Sequence, residues 1–260
     1  MISLGLGTVV GGNGSSFGGF SAEYQAILTA GSGFTRPSSA EQTIQNKLIE
    51  DLKTAGIWAK LDAFYMFANN ISTDSTGAFA RINWKTPTAN YGTAQGSGLP
   101  PISAKNGFTG NGTAGINLNY PHFSGTNFAN PNGSIGVYYG TVQASTAAIS
   151  TGAGGSRIRS GSSSSVTSSV ITLTATANSF VHINRTSAAI TAYLNGSSTG
   201  TSASLQPWAT TDTSNFFIFW NGTSYGSSQI RVAFIGGNLA AESATFNTLI
   251  QNYITSVNAL

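Results

Sequence analysis

The chain has 260 residues, 0 Cys and only 7% charged residues, with 11 Lys+Arg against 8 Asp+Glu for a net charge of +3. Without cysteine there are no disulfides, no thiolate metal sites and no thiol nucleophile. Arg157 and Arg159 form the densest basic pair, which excludes the clustered Lys/Arg footprint that phosphate-mediated nucleic-acid binding needs.

Typical proteins carry about 25% charged residues. Here Gly, Ser, Thr and Asn fill the space, and a surface of hydroxyls and amides suits a protein packed into an assembly or exposed outside a cell. No apolar run approaches the roughly 20 residues of a membrane span. No Lys or Arg precedes Arg36, so the basic region of a secretory signal is missing; release by lysis is the expected route out of a cell. All-β chains of this length often form one domain, and we expect a single one over 24–260.

Residues 1–23 are Gly-rich, with small apolar patches at Ile2, Leu4, Val9 and Val10. Such a segment builds no core. It is either a tail or an arm that adds a strand to a neighbouring subunit's sheet edge. Residues 38–55 predict a helix. Ser38 and Glu41 form a capping box after Pro37, Ile44, Leu48 and Leu52 recur every four residues, and Gly56 ends it. Residues 57–68 predict a helical turn and then a buried strand from about Asp62. Residues 78–84 predict another strand.

From 92 to 135 the Gly/Asn-rich chain predicts turns at Asn106-Gly107, Asn111-Gly112 and Asn132-Gly133, with short strands at 115–119 and 134–139. Residues 144–169 are low-complexity and read as a long loop or as polar outer strands. Strands follow at 169–174, 179–185, 190–194, 215–220 and 229–235. Asn195-Gly196 and Asn221-Gly222 accept φ > 0 and predict tight hairpins. Phe246, Leu249, Ile250, Tyr253, Ile254 and Val257 then make one helical stripe, so a closing amphipathic helix over 241–258 should bury that stripe. The pattern is that of a mostly β protein, an antiparallel β-sandwich with an N-terminal helical segment and a C-terminal helix.

Several motifs carry a resemblance. His182-Ile-Asn-Arg185, Ala192-Tyr-Leu-Asn-Gly196, Phe217-Ile-Phe219 and Val232-Ala-Phe-Ile-Gly-Gly237, closed by a helix near Ala241, resemble the concanavalin A-like, laminin-G-like (LamG) jelly roll. Gly33-Phe-Thr-Arg-Pro37, Ala55-Gly-Ile-Trp58, Leu61-Asp-Ala-Phe-Tyr65 and Ala80-Arg-Ile-Asn-Trp84 look like structural proteins of tailed bacteriophages. The resemblance implies a non-enzymatic virion component on the particle surface, in head decoration, head fibre or tail. It implies other virion proteins and copies of itself as partners, assembly in the host cytoplasm and release by lysis. The alternative is a carbohydrate-binding adhesin module for host glycans, and the third reading is a divergent glycoside-cleaving enzyme.

The chemistry-bearing residues favour the first two. A glycosidase needs two carboxylates flanking one bond, and no strand here carries an alternating acidic pattern. His182 reads as a surface or rim strand residue, and His122 lies in an expected loop. No nucleophile elbow appears. No cofactor is expected. Calcium has one thin candidate at Asp212 to Asn215, where a single carboxylate is poor ligation for a cation wanting six to eight oxygens. Trp84, Tyr91, Trp208, Trp220 and Tyr225 are candidates for a sugar-stacking platform. Phe217 and Phe219 are expected in the core. Trp208 and Tyr225 are the carbohydrate-binding candidates, at the loop end of the sandwich and not on the helix side.

Overall fold

A computed structural model describes residues 19–71, 73–122, 124–129, 132–143, 147–151, 156–159, 162–166, 169–203 and 214–260. Ile2, Leu4, Val9, Val10, Trp208 and Asp212 lie outside them.

Among the described residues, four helices form where the sequence supplies caps and apolar stripes: α1 (Ala22–Ala30), α2 (Ser39–Thr54), α3 (Ile57–Lys60) and α4 (Ser243–Asn258). The Ser21 side chain caps α1 by accepting from the Tyr24 amide at 3.3 Å. Ser38 caps α2 in the same way, from the Glu41 amide at 3.2 Å. Glu41 does not return the bond to Ser38. Its carboxylate turns inward and is fully buried, so only half of the expected capping box forms. Gly56, at φ 72°, ends α2 in the left-handed conformation that only glycine takes without strain. Helix α1 has no counterpart in the sequence reading, although Tyr24, Ile27 and Leu28 are spaced as one buried face.

The strands make two antiparallel sheets. The larger orders β13 (Ser197–Ser202), β12 (Ile190–Leu194), β11 (Phe180–Arg185), β6 (Gly133–Tyr139), β15 (Gln229–Gly236), β4 (Gly107–Thr109) and β3 (Ile102–Ser103), with β1 (Leu61–Met66) also paired to β15. The smaller orders β10 (Ser169–Leu173), β9 (Ser162–Val166), β8 (Arg157–Arg159), β7 (Ala147–Thr151), β14 (Asn215–Ile218), β5 (Ala114–Pro121) and β2 (Thr93–Gly96). The chain crosses between the sheets repeatedly, as in a jelly roll. The low-complexity 144–169 region supplies outer strands β8 and β9 and also β7, which is buried along its length.

Two apolar layers result. Ala63, Tyr65, Val137, Ile183 and Ile235 face inward and meet Ile116, Leu118, Ile149, Phe216 and Ile218 of the smaller sheet. The alternate residues Phe64, Met66, Tyr138, Phe180 and Phe234 face outward, where α1, α2 and α4 cover them with Ile27, Leu52, Phe246 and Ile250. The larger sheet is therefore buried on both faces at its centre, which is why β1, β6 and β15 read as near-continuous apolar runs. Gly136 in β6 leaves room for the Phe234 ring; a Cβ there would collide with it.

Two expectations, one strand and one hairpin, need correction. Residues 78–84 are not a strand. Phe79–Arg81 form a 3-10 turn, and the segment binds β1 irregularly: the Trp84 amide donates to the Phe64 carbonyl at 2.8 Å and Asn83 Oδ1 accepts from the Phe64 amide at 3.0 Å. Asn195-Gly196 does close the β12–β13 hairpin, with Asn195 at φ 50° and Gly196 at φ 83°. Asn221-Gly222 joins no such hairpin, because β14 and β15 belong to different sheets. Phe219, at φ 66°, ends β14 early. The Asn221 side chain then accepts from the Thr223 and Ser224 amides at 3.0 and 2.8 Å and folds a local turn.

The closing helix buries Phe246, Ile250, Tyr253, Ile254 and Val257. Leu249 is only partly buried, on a groove beside Ile44 of α2. Ile250→Ala is therefore expected to cost about 2–5 kcal/mol, the range for a truncated core aliphatic, and Leu249→Ala less than half of that. Urea denaturation of the two variants checks the order; equal costs would contradict this packing.

Candidate functional site

The outer face of the larger sheet is roofed by helices. Among the described residues, no helix lies on the outer face of the smaller sheet. Alternation along β14 decides what appears there. Phe216 and Ile218 point into the sandwich, so Phe217 points out. Trp220 follows the break at Phe219 and meets the Phe217 ring edge-on, 4.5 Å between centroids. The Asn221 turn then brings Tyr225 back beside Trp220. The two form an isolated antiparallel bridge, with ring centroids 6.5 Å apart at 35°.

Two glycines make space beneath these rings. A Cβ on Gly115 would lie 3.5 Å from both Trp220 Cβ and Tyr225 Cε1, and 2.7 Å from the Ile218 carbonyl oxygen. A Cβ on Gly96 would collide with the Tyr225 hydroxyl. Trp220 and Tyr225 are half-buried, while Phe217 is 7% exposed beneath Trp220. The result is a step of three aromatic rings lying over the sheet.

Pairing register continues the surface sideways. Thr93, Asn117, Phe217, Ser150 and Arg157 sit opposite one another in successive strands. Asn117 and Gln95 present half-buried amides beside the rings. Ser150 is held down by its hydroxyl donating to the Trp220 carbonyl. Flat apolar rings bordered by amides and a guanidinium can stack on a sugar face and hydrogen-bond its oxygens.

The structure sorts the aromatic candidates. Tyr225 and Trp220 come together on the side away from the helices. Trp84 is buried under the helical layer, 1% exposed. Tyr91 stacks on Phe34 at 5.7 Å and carries the Arg81 guanidinium 4.7 Å above its ring. Phe219 lies in the core, as expected, but Phe217 belongs to the outer face. Strict alternation from Phe216 was the signal that would have placed it.

A concavity of about 490 Å³ lies where β15 ends and α4 begins. Asn127, Asn132 and Asn238 line it with the Lys60–Glu242 ion pair at 2.7 Å. It has no aromatic wall among its lining residues.

Each described carboxylate is occupied by a local partner. Asp62 accepts from the amides of Asn127 and Phe128 and so ties the 124–128 loop to β1. Asp74 accepts from the amides of Thr76 and Phe79 at the 3-10 turn. Glu23 pairs with Lys53, Asp51 with Lys47, and Glu50 accepts from Asn46. No group of three or more His, Asp or Glu gathers as a metal-ligand set among the described residues. No described helix is long and apolar enough to cross a membrane.

Of the buried groups with shifted pKa values, Glu41 and His182 bear on stability between acid and neutral pH. Glu41 accepts from the Asn70 amide at 2.9 Å and from Gln45 at 3.1 Å, and Gln45 in turn accepts from the Tyr24 hydroxyl at 2.8 Å. Burial raises Glu41 to about 7. His182 is not a rim residue. It is fully buried, stacked 4.5 Å from the Tyr193 ring, with neither ring nitrogen hydrogen-bonded. Burial lowers it to about 3. His122 is also buried, with Nε2 2.9 Å from the Ser156 hydroxyl.

No protein-family model matches the chain, and no curated protein matches it. Among solved structures, domain 4 of AbnA, a GH43 extracellular arabinanase from Geobacillus stearothermophilus, is 15% identical with a TM-score of 0.48, covering 72% of this chain and 98% of that one. A mutant Trypanosoma rangeli sialidase is 12% identical with a TM-score of 0.49, over 82% of this chain and 39% of the sialidase. A botulinum neurotoxin type C structure, whose cell entry depends on two ganglioside molecules, is 12% identical with a TM-score of 0.48, over 75% of this chain and 53% of that one. Likeness at this level transfers no chemistry to the present chain.

Glu41 and His182 give opposite pH dependences. Glu41, raised from 4.5, keeps a proton in the folded state that the unfolded chain releases, so its contribution is lost as pH rises from about 4.5 to about 7. His182, lowered from 6.5, resists the proton that the unfolded chain takes up, so its contribution is lost as pH falls from about 6.5 towards 3. At about 1.4 kcal/mol per pKa unit, the effects are on the order of 3 kcal/mol for Glu41 and 5 kcal/mol for His182, and they oppose between about pH 4.5 and 6.5. Glu41→Gln should expose a stability that rises with pH over that window, and His182→Phe one that falls. Denaturant midpoints measured at stepped pH check both slopes.

Proposed function

We propose that this protein is a non-enzymatic structural module displayed on the surface of a virus particle, contacting saccharides through the outer face of its smaller sheet. The observation that carries the saccharide part is the Phe217–Trp220–Tyr225 step, bordered by Asn117 and Gln95 on the one sheet face that the described helices leave uncovered. Stacking on aromatic rings with amide hydrogen bonds is how a protein with few charges grips an uncharged ring. The occupied carboxylates support the non-enzymatic part: each described acid is committed to a cap, a loop tie, an ion pair or the buried Glu41 network. The virion part rests on the motif resemblance and on a surface of hydroxyls and amides at 7% charge. Trp208, outside the described residues, is a further proposed saccharide contact. Copies of the chain and other virion proteins are the proposed assembly partners. Many weak saccharide contacts on one particle gain avidity without tight single sites.

Trp220→Ala tests the site. Saccharide binding by the purified protein should weaken at least about tenfold, a loss of ~1.4 kcal/mol, with the thermal midpoint little changed. Bound oligosaccharides recovered after incubation should be uncleaved. Unchanged affinity would place binding elsewhere, and cleavage products would overturn the non-enzymatic reading.

Ile2, Leu4, Val9 and Val10 are proposed as an assembly arm. Deleting residues 1–18 should leave the sandwich folded and abolish incorporation into particles; normal incorporation of the truncated chain would refute the arm.

A further inference from the structure

Among the described residues, one cation on the proposed saccharide face has no counter-charge. Arg157 lies in β8 with Ile158 turned into the sandwich, so Arg157 and Arg159 share the outer face. Register places Arg157 two strands from Phe217 through Ser150. At roughly 4.8 Å per strand, a long side chain spans much of that gap. Arg157 is half-buried, and its Nε is buried with no hydrogen-bond partner. Burial, and then the like charge of Arg159, hold its pKa below the usual guanidinium range. The carboxylates of the described residues are all engaged elsewhere, and the ion pairs among them join Lys47–Asp51, Lys53–Glu23 and Lys60–Glu242. A half-buried guanidinium beside a like charge is costly without an anion, and a bidentate anion is the partner whose geometry fits its planar fork.

We propose that this face takes an acidic saccharide, with Arg157 receiving its carboxylate or sulfate while Trp220 and Tyr225 carry the sugar ring. The inference rests on the saccharide reading above and narrows it to anionic ligands. The aromatic step supplies stacking for any pyranose face. Arg157 supplies the discrimination, since a neutral sugar leaves the guanidinium without its counter-charge.

The test changes the ligand before the protein. Binding of galacturonic-acid hexasaccharide is compared by calorimetry with its fully methyl-esterified form, and sulfated isomaltohexaose with the unsulfated sugar. Each pair shares a backbone and differs in charge. At least one anionic member should bind about tenfold or more tighter than its neutral parent, and the pair that shows this identifies the anion. The preference should weaken with added salt. Arg157→Gln should bring the two members of that pair within about twofold of each other. Equal binding of anionic and neutral members, or a preference that survives in Arg157→Gln, would overturn the inference. If the neutral sugars bind and Trp220→Ala weakens them, the saccharide reading stands without it. If no saccharide binds the parent protein, both fall.

Discussion

Burial of the larger sheet on both faces is the constraint on which the rest of this structure depends. Strand β15 sits at its centre, with β6 on one side and β1 and β4 on the other. Alternate residues of one strand serve two cores: Ala233 and Ile235 go into the sandwich, while Val232 and Phe234 go under the helices. A single-residue slip would exchange the two sets. Gly136 and Phe234 fix the register sterically, because the ring occupies the space that a side chain at 136 would need.

The helical roof has a functional consequence. It covers one outer sheet face and, among the described residues, leaves the other without a helix. The roof is held by apolar area, with a polar network at its seam. Tyr24, Gln45, Glu41 and Tyr253 join α1, α2 and α4 there, and the Tyr253 hydroxyl donates to the Ala68 carbonyl at 3.0 Å. Burying a carboxylate is affordable when it carries a proton near neutral pH and accepts a backbone amide. His182, on the same side of the sheet, is neutral for the opposite reason: its unbonded nitrogens cannot support a charge among Phe180, Tyr193 and Phe234.

Scarcity of charge shapes the other face. With so few ionisable groups, most described acids are spent on local structure, and the surface chemistry falls to amides, hydroxyls and aromatic rings. Arg157 stands out against that background because its described neighbours offer no counter-charge. On the proposal made above, the site selects through ring stacking and one anion contact rather than through a broad field.

Local signals fixed much of the fold in the sequence. Ser38 and Gly56 bounded α2, Asn195-Gly196 closed its hairpin, and the stripe from Phe246 to Val257 announced the last helix, because caps, φ > 0 turns and helical periodicity act within a few residues. The sandwich class followed from strand spacing alone. Long-range choices were not legible. Asn221-Gly222 looks like Asn195-Gly196, yet it leads into a sheet crossing, since only the packed sheets decide which strands pair. Residues 78–84 have the composition of a strand, but Asn83 and Trp84 bind β1 through irregular backbone contacts. Phe217, His182 and Arg157 took their roles from the face on which alternation and register placed them, and a face becomes buried or exposed only when the helices settle on one sheet and leave the other uncovered.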